Sequence, residues 1–549
     1  MKKNLAEQLL LGLKAYGVSE IFGIPGDFAL PFFKVVEESQ ILPAYYMSHE
    51  PSVGFAADAA TRYHGKPSVA AVTYGAGGLN MVNPIATAYA EKTPVVVISG
   101  GPGESEKVNG LLLHHQAKDL HSQINVYKEV TVDQVVLSDP KAAPEQIARV
   151  LANCIRYSRP VYIEIPRDQV FMPCRAVPRP PKRLWHADQD KVKACAKAIL
   201  DKIACADNPI IIAGIEVKRF GVESEIAELS RRLDIPVVTT LMARGLFSES
   251  ENIDYRGTYV GKGGHRNVFD LVTHSDLPIL FGVLLNDTNF GLSADSIDFN
   301  HAIVSGDEGC SLGYFGFDGV PLPHLMKQLL AQCKAPKEKK IYDHTVYYEY
   351  GFSADEAICK PNDIAILLND VFKEHGDMWL ATDMGDCFFT TLDVRNTRLV
   401  APAFYATMGY GVPAGFGLQA ASGERPIILV GDGAFQMTGW EILNMPRYGL
   451  NPIILVFNNA SWEMLRTFQP ESAFNDLPLL DFKAIGDSLG GIGYRANNRA
   501  ELKQSFEQAL ADKAHFHVID IKIEKKVLSK TLGRFVSGIK TMREQPDEE

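Results

Sequence analysis

The sequence predicts an α/β protein of three doubly wound parallel-sheet domains, and three observations carry that prediction. The 549 residues exceed what one hydrophobic core supports, and domains of roughly 100 to 200 residues give about three. Short apolar runs alternate with helix-period runs across intervening turns, the rhythm of β-turn-α units that pair in parallel. Two polar connectors, Pro173 to Lys182 and Ala335 to Tyr342, cut the chain into blocks.

The first block, residues 1–175, opens with a helix pattern over Leu5 to Tyr16 and a strand over Ile21 to Ile24. A turn at Pro25-Gly26-Asp27 leads into a helix from Phe28 to Glu37. The rhythm repeats as Ser68 to Tyr74 followed by a helix over Ala76 to Ala90, and as Val95 to Ser99 followed by a Gly-rich turn; the block closes near Ile163-Glu164-Ile165-Pro166. Prolines 178, 180 and 181 bar a helix from the first connector. The central block, 190–335, starts with a helix over Gln189 to Ile203 and strands at Pro209 to Ala213, Val237 to Thr240 and Pro278 to Val283. The third block, 360–530, has strands at Trp379 to Thr382, Ile427 to Val430 and Ile453 to Phe457, and a C-terminal segment, 531–549, follows.

Composition bounds the function. With 46% hydrophobic and 22% charged residues and no low-complexity tract, the chain has the make-up of a globular enzyme. The net charge of -11, without long runs of one sign, argues against a phosphate-backbone partner. Eight scattered cysteines lacking any C-x-x-C pair fit reduced intracellular thiols. No export signal and no apolar stretch of about 20 residues is visible, so a soluble, cytoplasmic protein is expected, with neither nucleic acid nor membrane as partner.

The sharpest motif is Val430-Gly431-Asp432-Gly433-Ala434-Phe435-Gln436, which follows one apolar strand, while Asn458-Asn459, separated from Gly433 by 24 residues, ends a second strand. Glycines let the backbone approach a ligand closely, and a following helix N-terminus offers amides to an anion. Adjacent strand ends bring both groups to one crevice, and Asp and Asn oxygens together with phosphate oxygens suit Mg²⁺. Taken singly, each is an ordinary turn.

Glu50, in Ser48-His49-Glu50-Pro51, follows a strand-like run over Ile41 to Met47 and precedes a proline suited to a first helical position. Among Val53, Phe55 and Ala56 a carboxyl group is expected to have a raised pKa and to share its proton with a ring nitrogen; alone, it also reads as a helix-start charge. His114-His115 sits in an apolar run where a pair can relay protons or hold a carboxylate, or simply pack at a surface. Asp27, at a strand-to-helix turn, reads in isolation as an N-cap.

The Gly-Asp-Gly … Asn-Asn pattern resembles the diphosphate motif of thiamin-diphosphate enzymes. With Asp27, Glu50 and His114-His115 it resembles the 2-oxo acid decarboxylase branch, which includes pyruvate, indolepyruvate and phenylpyruvate decarboxylases. The likeness covers nearly the whole chain, and Gly23-Ile24-Pro25-Gly26-Asp27-Phe28, Ser48 to Pro51 and Tyr74-Gly75-Ala76-Gly77 look most like bacterial phenylpyruvate decarboxylases. That resemblance implies an aminopyrimidine-binding first block and a diphosphate- and Mg²⁺-binding third block, acting across the interface of a homodimer or a dimer-of-dimers tetramer. It assigns Mg²⁺ to Asp432, the Asn459 side chain and the Ser461 carbonyl, and catalysis to Asp27, Glu50, His114 and His115. It also places Thr73, Asp386, Ala406, Met408, Gly431, Gly433 and Ala434 at the cofactor, Met408 as the residue that holds it bent. Met384, Phe388, Trp462, Leu465, Phe468 and Phe535 are carried over as the substrate pocket, although each of the aromatics also fits plain core.

One departure sets the substrate. Decarboxylases acting on pyruvate carry Glu six residues beyond the second Asn, where this chain has Leu465. Glu463 lies two residues earlier, and on a helix that offset turns a side chain by about 200°, so Glu463 is not expected to replace it. An apolar pocket is consistent with an aromatic 2-oxo acid, phenylpyruvate or indol-3-ylpyruvate, decarboxylated without oxidation to the aldehyde. The alternatives are branched-chain 2-oxo acids or pyruvate as substrate, a carboligase or flavin oxidase of the same plan, and a non-enzymatic nucleotide-binding module. No Gly-x-Gly-x-x-Gly follows a predicted strand of the central block, which disfavours the last.

Overall fold

The computed structural model describes residues 3–108, 110–181, 184–247, 253–291, 296–334, 348–395 and 398–544. The second connector, Ala335 to Tyr342, and Lys182 of the first lie outside them. The remainder of the first connector, from Arg175 onward, is neither helix nor strand.

Three sheets form. The first holds β1 (Ile21–Gly23), β2 (Ala44–Tyr46), β3 (Ser68–Val72), β4 (Val95–Gly101), β5 (Asp133–Val136) and β6 (Val161–Pro166), ordered β2-β1-β3-β4-β6-β5 and parallel throughout. The central sheet holds β7 (Pro209–Ala213), β8 (Val237–Thr240), β9 (Tyr255–Tyr259), β10 (Leu277–Phe281), β11 (Ile303–Ser305), β12 (Gly309–Leu312) and β13 (Phe315–Asp318), ordered β13-β12-β11-β10-β7-β8-β9. The third holds β14 (Leu380–Thr382), β15 (Leu399–Val400), β16 (Ile427–Gly431), β17 (Ile453–Asn458), β18 (Ile492–Ala496) and β19 (His517–Lys522), ordered β15-β14-β16-β17-β19-β18. Counted from its own first strand, the third sheet repeats the order of the first. Their strands read as continuous apolar runs because helices cover both faces.

Two local expectations are corrected. The central sheet is only mostly parallel, because β11, β12 and β13 run antiparallel: two residues, Gly313 and Tyr314, join β12 to β13, too few for a parallel crossover. The single helix expected over Ala76 to Ala90 is two, Ala76–Asn80 and Val82–Ala90. Pro84 has no N–H to give the Asn80 carbonyl, so the ladder breaks between them.

The first and third blocks share one core, in which Phe22, Val53 and Phe55 join Tyr410, Phe416 and Ile428. Small residues allow the closeness: a Cβ on Gly417 would lie 2.1 Å from the Ala56 carbonyl oxygen, bringing helix Gly411–Ser422 against helix Glu50–His64. Among the described residues no helix is long and apolar enough to cross a membrane, and none of the eight cysteines is in a disulfide.

Candidate active site

Parallel sheets open a crevice at the carboxyl ends of neighbouring strands whose chains leave in opposite directions. That point lies between β1 and β3 in the first sheet and between β14 and β16 in the third. Asp27 follows β1 and Thr73 follows β3; Asp386 follows β14, Asp432 follows β16 and opens the next helix, and Asn459 follows β17. Candidate groups therefore gather at two sheet edges.

In the first block, the Asp27 carboxylate is hydrogen-bonded to His114 Nε2 and lies 3.6 Å from His115 Nδ1, and it accepts Thr73 Oγ1 at 3.5 Å. Asp27 is not a cap, since the following helix, Leu30–Ser39, starts at Ala29 without side-chain capping. The His114 ring stacks on Phe28 at 4.7 Å and the His115 ring meets it edge-on, while the Arg167 guanidinium lies 4.9 Å from the Phe28 ring centre. Burial works to raise the Asp27 carboxyl, but the His114 hydrogen bond, the Phe28 amide and both imidazoles outweigh it and hold the pKa below the usual aspartate value. His115 adopts left-handed φ (65°), held against Gly75, whose amide donates to Gln123 Oε1 at 2.6 Å.

Glu50 begins helix Glu50–His64 and accepts Asn80 Nδ2 at 2.7 Å. Val53, Phe55 and Ala56 are buried in the core, but Glu50 is only half-buried, so the apolar enclosure expected for it is not formed within one chain. Asn80 was invisible to motif reading; the break before Pro84 presents it. Beside the histidines, Val108, Leu111 and Leu112 are 81%, 75% and 83% exposed.

In the third block a cavity of about 240 Å³ is bordered by Met384, Asp386, Ala406, Met408, Gly431 to Ala434, Asn459, Ser461, Trp462, Glu463 and Leu465. None of Asp27, Glu50, Thr73, His114 or His115 borders it. Phe388, Phe468 and Phe535 stand behind its wall, Phe388 fully buried and Phe535 packed 5.0 Å from the Phe389 ring.

Asp432 is buried, with Oδ1 accepting the Gly433 amide at 2.8 Å and Oδ2 without a partner. Burial pushes its carboxyl up to about 6 against the pull of the Gly433, Ala460, Ser461 and Asn459 amides. An orphaned, buried carboxylate oxygen beside Asn459 and Ser461 fits a hard cation. Asn459 Oδ1 accepts the Ser461 amide at 3.0 Å, bending the chain around Asp432, while Asn458 points away and donates to Asp520 at 2.7 Å. Space is left for a ligand at Gly431, where a Cβ would meet nothing within 4 Å. Gly433 is filled instead by the Trp462 ring, 2.1 Å from its Cβ position.

Loop 406–411 is held by Asp383, which sequence reading missed despite its place just past β14. Its carboxylate accepts the amides of Met384, Gly409 and Gly411 at 2.9, 3.0 and 2.7 Å, and burial pushes it up to about 6. Ala406 takes left-handed φ (59°) there, and Met408 lies where two core clusters meet. Burial likewise raises Asp386 to about 6; Oδ2 accepts the Ser529 amide at 2.9 Å and Oδ1 has no partner.

Helix Glu463–Arg466 is a single turn from which Leu465 and Glu463 both border the cavity, Leu465 half-exposed at its rim and Glu463 buried. Glu463 accepts the Lys526 amide at 2.7 Å, and its Oε2 makes no hydrogen bond.

Comparison with known proteins agrees with this layout. Residues 3–126, 196–307 and 383–521 match the N-terminal TPP-binding, central and C-terminal TPP-binding domains of thiamine pyrophosphate enzymes. The chain is 49% identical to indole-3-pyruvate decarboxylase of Azospirillum brasilense over 99% of its own length and 100% of that protein's. It is 27% identical to a probable pyruvate decarboxylase of Schizosaccharomyces pombe over 92% of the chain and 91% of the relative. An alpha-keto-acid decarboxylase of Mycobacterium bovis is 26% identical over 98% of the chain and 97% of the relative. The chain belongs to the thiamine pyrophosphate enzymes, as a 2-oxo acid decarboxylase dependent on thiamin diphosphate.

Proposed function

We propose that the enzyme converts an aromatic 2-oxo acid, phenylpyruvate or indol-3-ylpyruvate, to CO₂ and the aldehyde one carbon shorter, in sites shared by two subunits and dependent on Mg²⁺. The observation that carries the non-oxidative reading is the Asp27–His114 hydrogen bond with His115 alongside, a proton store for a reaction that consumes one proton for each CO₂ released. Support for an aromatic substrate comes from the apolar cavity side chains Met384, Met408, Trp462 and Leu465, and from the indole-3-pyruvate named for the 49%-identical relative.

Thiamin diphosphate, when bound, supplies a thiazolium that accepts the electron pair left as CO₂ departs. Asp432, Asn459 and Ser461 would hold Mg²⁺, and Gly431, Gly433 and Ala434 the diphosphate. Glu50, oriented by Asn80, would hold a proton at the aminopyrimidine, and Met408, on the loop fixed by Asp383, would support the thiazolium. Asp27 and the two histidines then deliver the proton to the former 2-oxo carbon, a step whose positioned acid contributes roughly 10² to 10⁴ in rate. Apolar walls favour loss of the substrate carboxylate as CO₂.

Shared sites are supported by the separation of Glu50, Asp27 and the histidines from the Asp432 cavity. The exposed apolar residues Val108, Leu111 and Leu112, with Met437 in the Asp432 helix and Trp440 and Leu443 after it, are surfaces a second copy would cover. The domain limits 1–175, 190–335 and 360–530 follow the same reading.

Product analysis and kcat/KM over phenylpyruvate, indol-3-ylpyruvate, 2-oxoisocaproate and pyruvate test the assignment. The expected result is phenylacetaldehyde and CO₂, with the aromatic acids preferred over pyruvate by about 10² or more. Acyloin or carboxylic acid products, or pyruvate used equally well, would overturn it.

A further inference from the structure

A second cavity, of about 300 Å³, shares no lining residue with the Asp432 cavity and lies between the central and third blocks. Strand β9 ends there in Val260-Gly261-Lys262-Gly263-Gly264-His265, and helix Arg266–Thr273 follows, so a glycine-rich turn and a helix start border one hollow. Gly263 is wedged against the C-terminal helix, its Cβ position 2.7 Å from the Phe535 ring.

The charges around this hollow do not balance. Arg256 is paired with Asp254 at 3.0 Å. The Asp393 carboxylate accepts Thr531 Oγ1 at 2.8 Å and faces Arg534 at 3.5 Å and His265 Nε2 at 4.0 Å. Arg244 is 3% exposed; its Nη2 donates to the Val394 carbonyl at 2.6 Å, while Nη1 makes no hydrogen bond. Among the described residues no carboxylate lies within ion-pair reach of Arg244. His265 Nε2 is likewise buried without a hydrogen-bond partner. A buried guanidinium lacking a counter-charge is costly, and a carboxylate meets its planar donors well. Val260, Val268, Leu271 and Leu392 give the same hollow an apolar lining.

We propose that this cavity binds an organic carboxylate with an apolar body, its head between Arg244 and His265 and its body against Val268, Leu271 and Leu392. One unbalanced guanidinium calls for one negative charge, and the apolar lining leaves nothing for the second charge of a phosphate. No residue of the proposed reaction takes part, so the site stands independently of the substrate assignment.

The test is calorimetric titration of phenylacetate into the Mg²⁺- and thiamin-diphosphate-loaded enzyme, with inorganic phosphate as a second probe. Wild type should bind one more equivalent per chain than the Arg244→Met and Leu271→Phe variants, with affinity for that equivalent lowered at least tenfold in each. Both variants should keep kcat within twofold. Leu271→Phe fills the hollow without touching a charge, which keeps the test decisive where Arg244→Met fails to fold. Unchanged stoichiometry in Leu271→Phe, or phosphate displacing phenylacetate from the additional site, would overturn the proposal.

Discussion

A Cβ on Gly75 would stand 1.9 Å from the carbonyl oxygen of His115, so the turn that presents the two histidines rests directly on a glycine with φ of +68°. Gly75→Ala must push that turn away and strain its own backbone. A displacement of about 1 Å at a positioned proton donor costs on the order of 10² in rate. Steady-state assays of Gly75→Ala should show kcat reduced by about that factor, with thiamin diphosphate bound within a few-fold of wild type, because the change leaves Asp432, Asn459 and Ser461 untouched. A normal kcat would separate the histidines from the proton-delivery step.

Glu50→Gln keeps the volume and the contact with Asn80 but cannot carry the proton. At saturating cofactor, kcat should fall by roughly 10² to 10⁴. Near-normal turnover would remove Glu50 from the mechanism.

Burial raises Asp432 from 3.8 to about 6 in the cofactor-free protein. The folded protein thus holds this proton more tightly than the unfolded chain, and the resulting stabilisation is complete below 3.8 and lost as pH rises through about 6. In metal-free, cofactor-free samples, Asp432→Asn should therefore be more stable than wild type at pH 7.5, by on the order of 2 kcal/mol, with the gap closing at pH 4. Adding Mg²⁺ and thiamin diphosphate should reverse the order, since wild type gains binding energy that the variant lacks. Thermal midpoints at both pH values, with and without ligands, measure this; a gap independent of pH would show that Asp432 is not the titrating group.

Asp27, Glu50, Asp432 and Asn459 were legible because each sits where an apolar strand gives way to a turn, a boundary written in local sequence. The break at Pro84 was legible in principle too, since a missing N–H names its lost acceptor. What local pattern does not contain is which of two adjacent Asn side chains turns inward: Asn458 is drawn to Asp520, a strand away, and Asn459 to Ser461. Nor does it contain the anchor of Glu463, whose carboxylate accepts the amide of Lys526, 63 residues further on. Asp383 carries no motif, and its role rests on amides of a loop 26 to 28 residues away.

Leu465 is 53% exposed at the rim of the Asp432 cavity, which suits a residue whose contacts are completed by substrate or by a second subunit. Leu465→Glu would put a carboxylate near Asp386 and Glu463, repelling the substrate carboxylate and removing apolar contact with an aromatic side chain. We expect kcat/KM for phenylpyruvate to drop by about tenfold or more, with pyruvate affected less. An equal loss for both acids would separate Leu465 from substrate choice.

If each active centre takes Glu50 from one subunit and Asp432 from another, the two defects can be segregated. A dimer pairing a Glu50→Gln chain with an Asp432→Asn chain has one centre carrying both lesions and one carrying neither. Random reassociation makes half the dimers mixed, so about a quarter of all centres become wild type. Mixing the two inactive variants under conditions that exchange subunits should therefore restore roughly a quarter of the wild-type rate. If Glu50 and Asp432 of the same chain served one centre, every centre in the mixture would keep a lesion and the rate would stay at that of the single variants. Leu112→Glu supplies the control: placed on the exposed apolar rim beside His114, it should shift the sedimentation of the protein toward monomer and abolish both activity and complementation while leaving the fold intact.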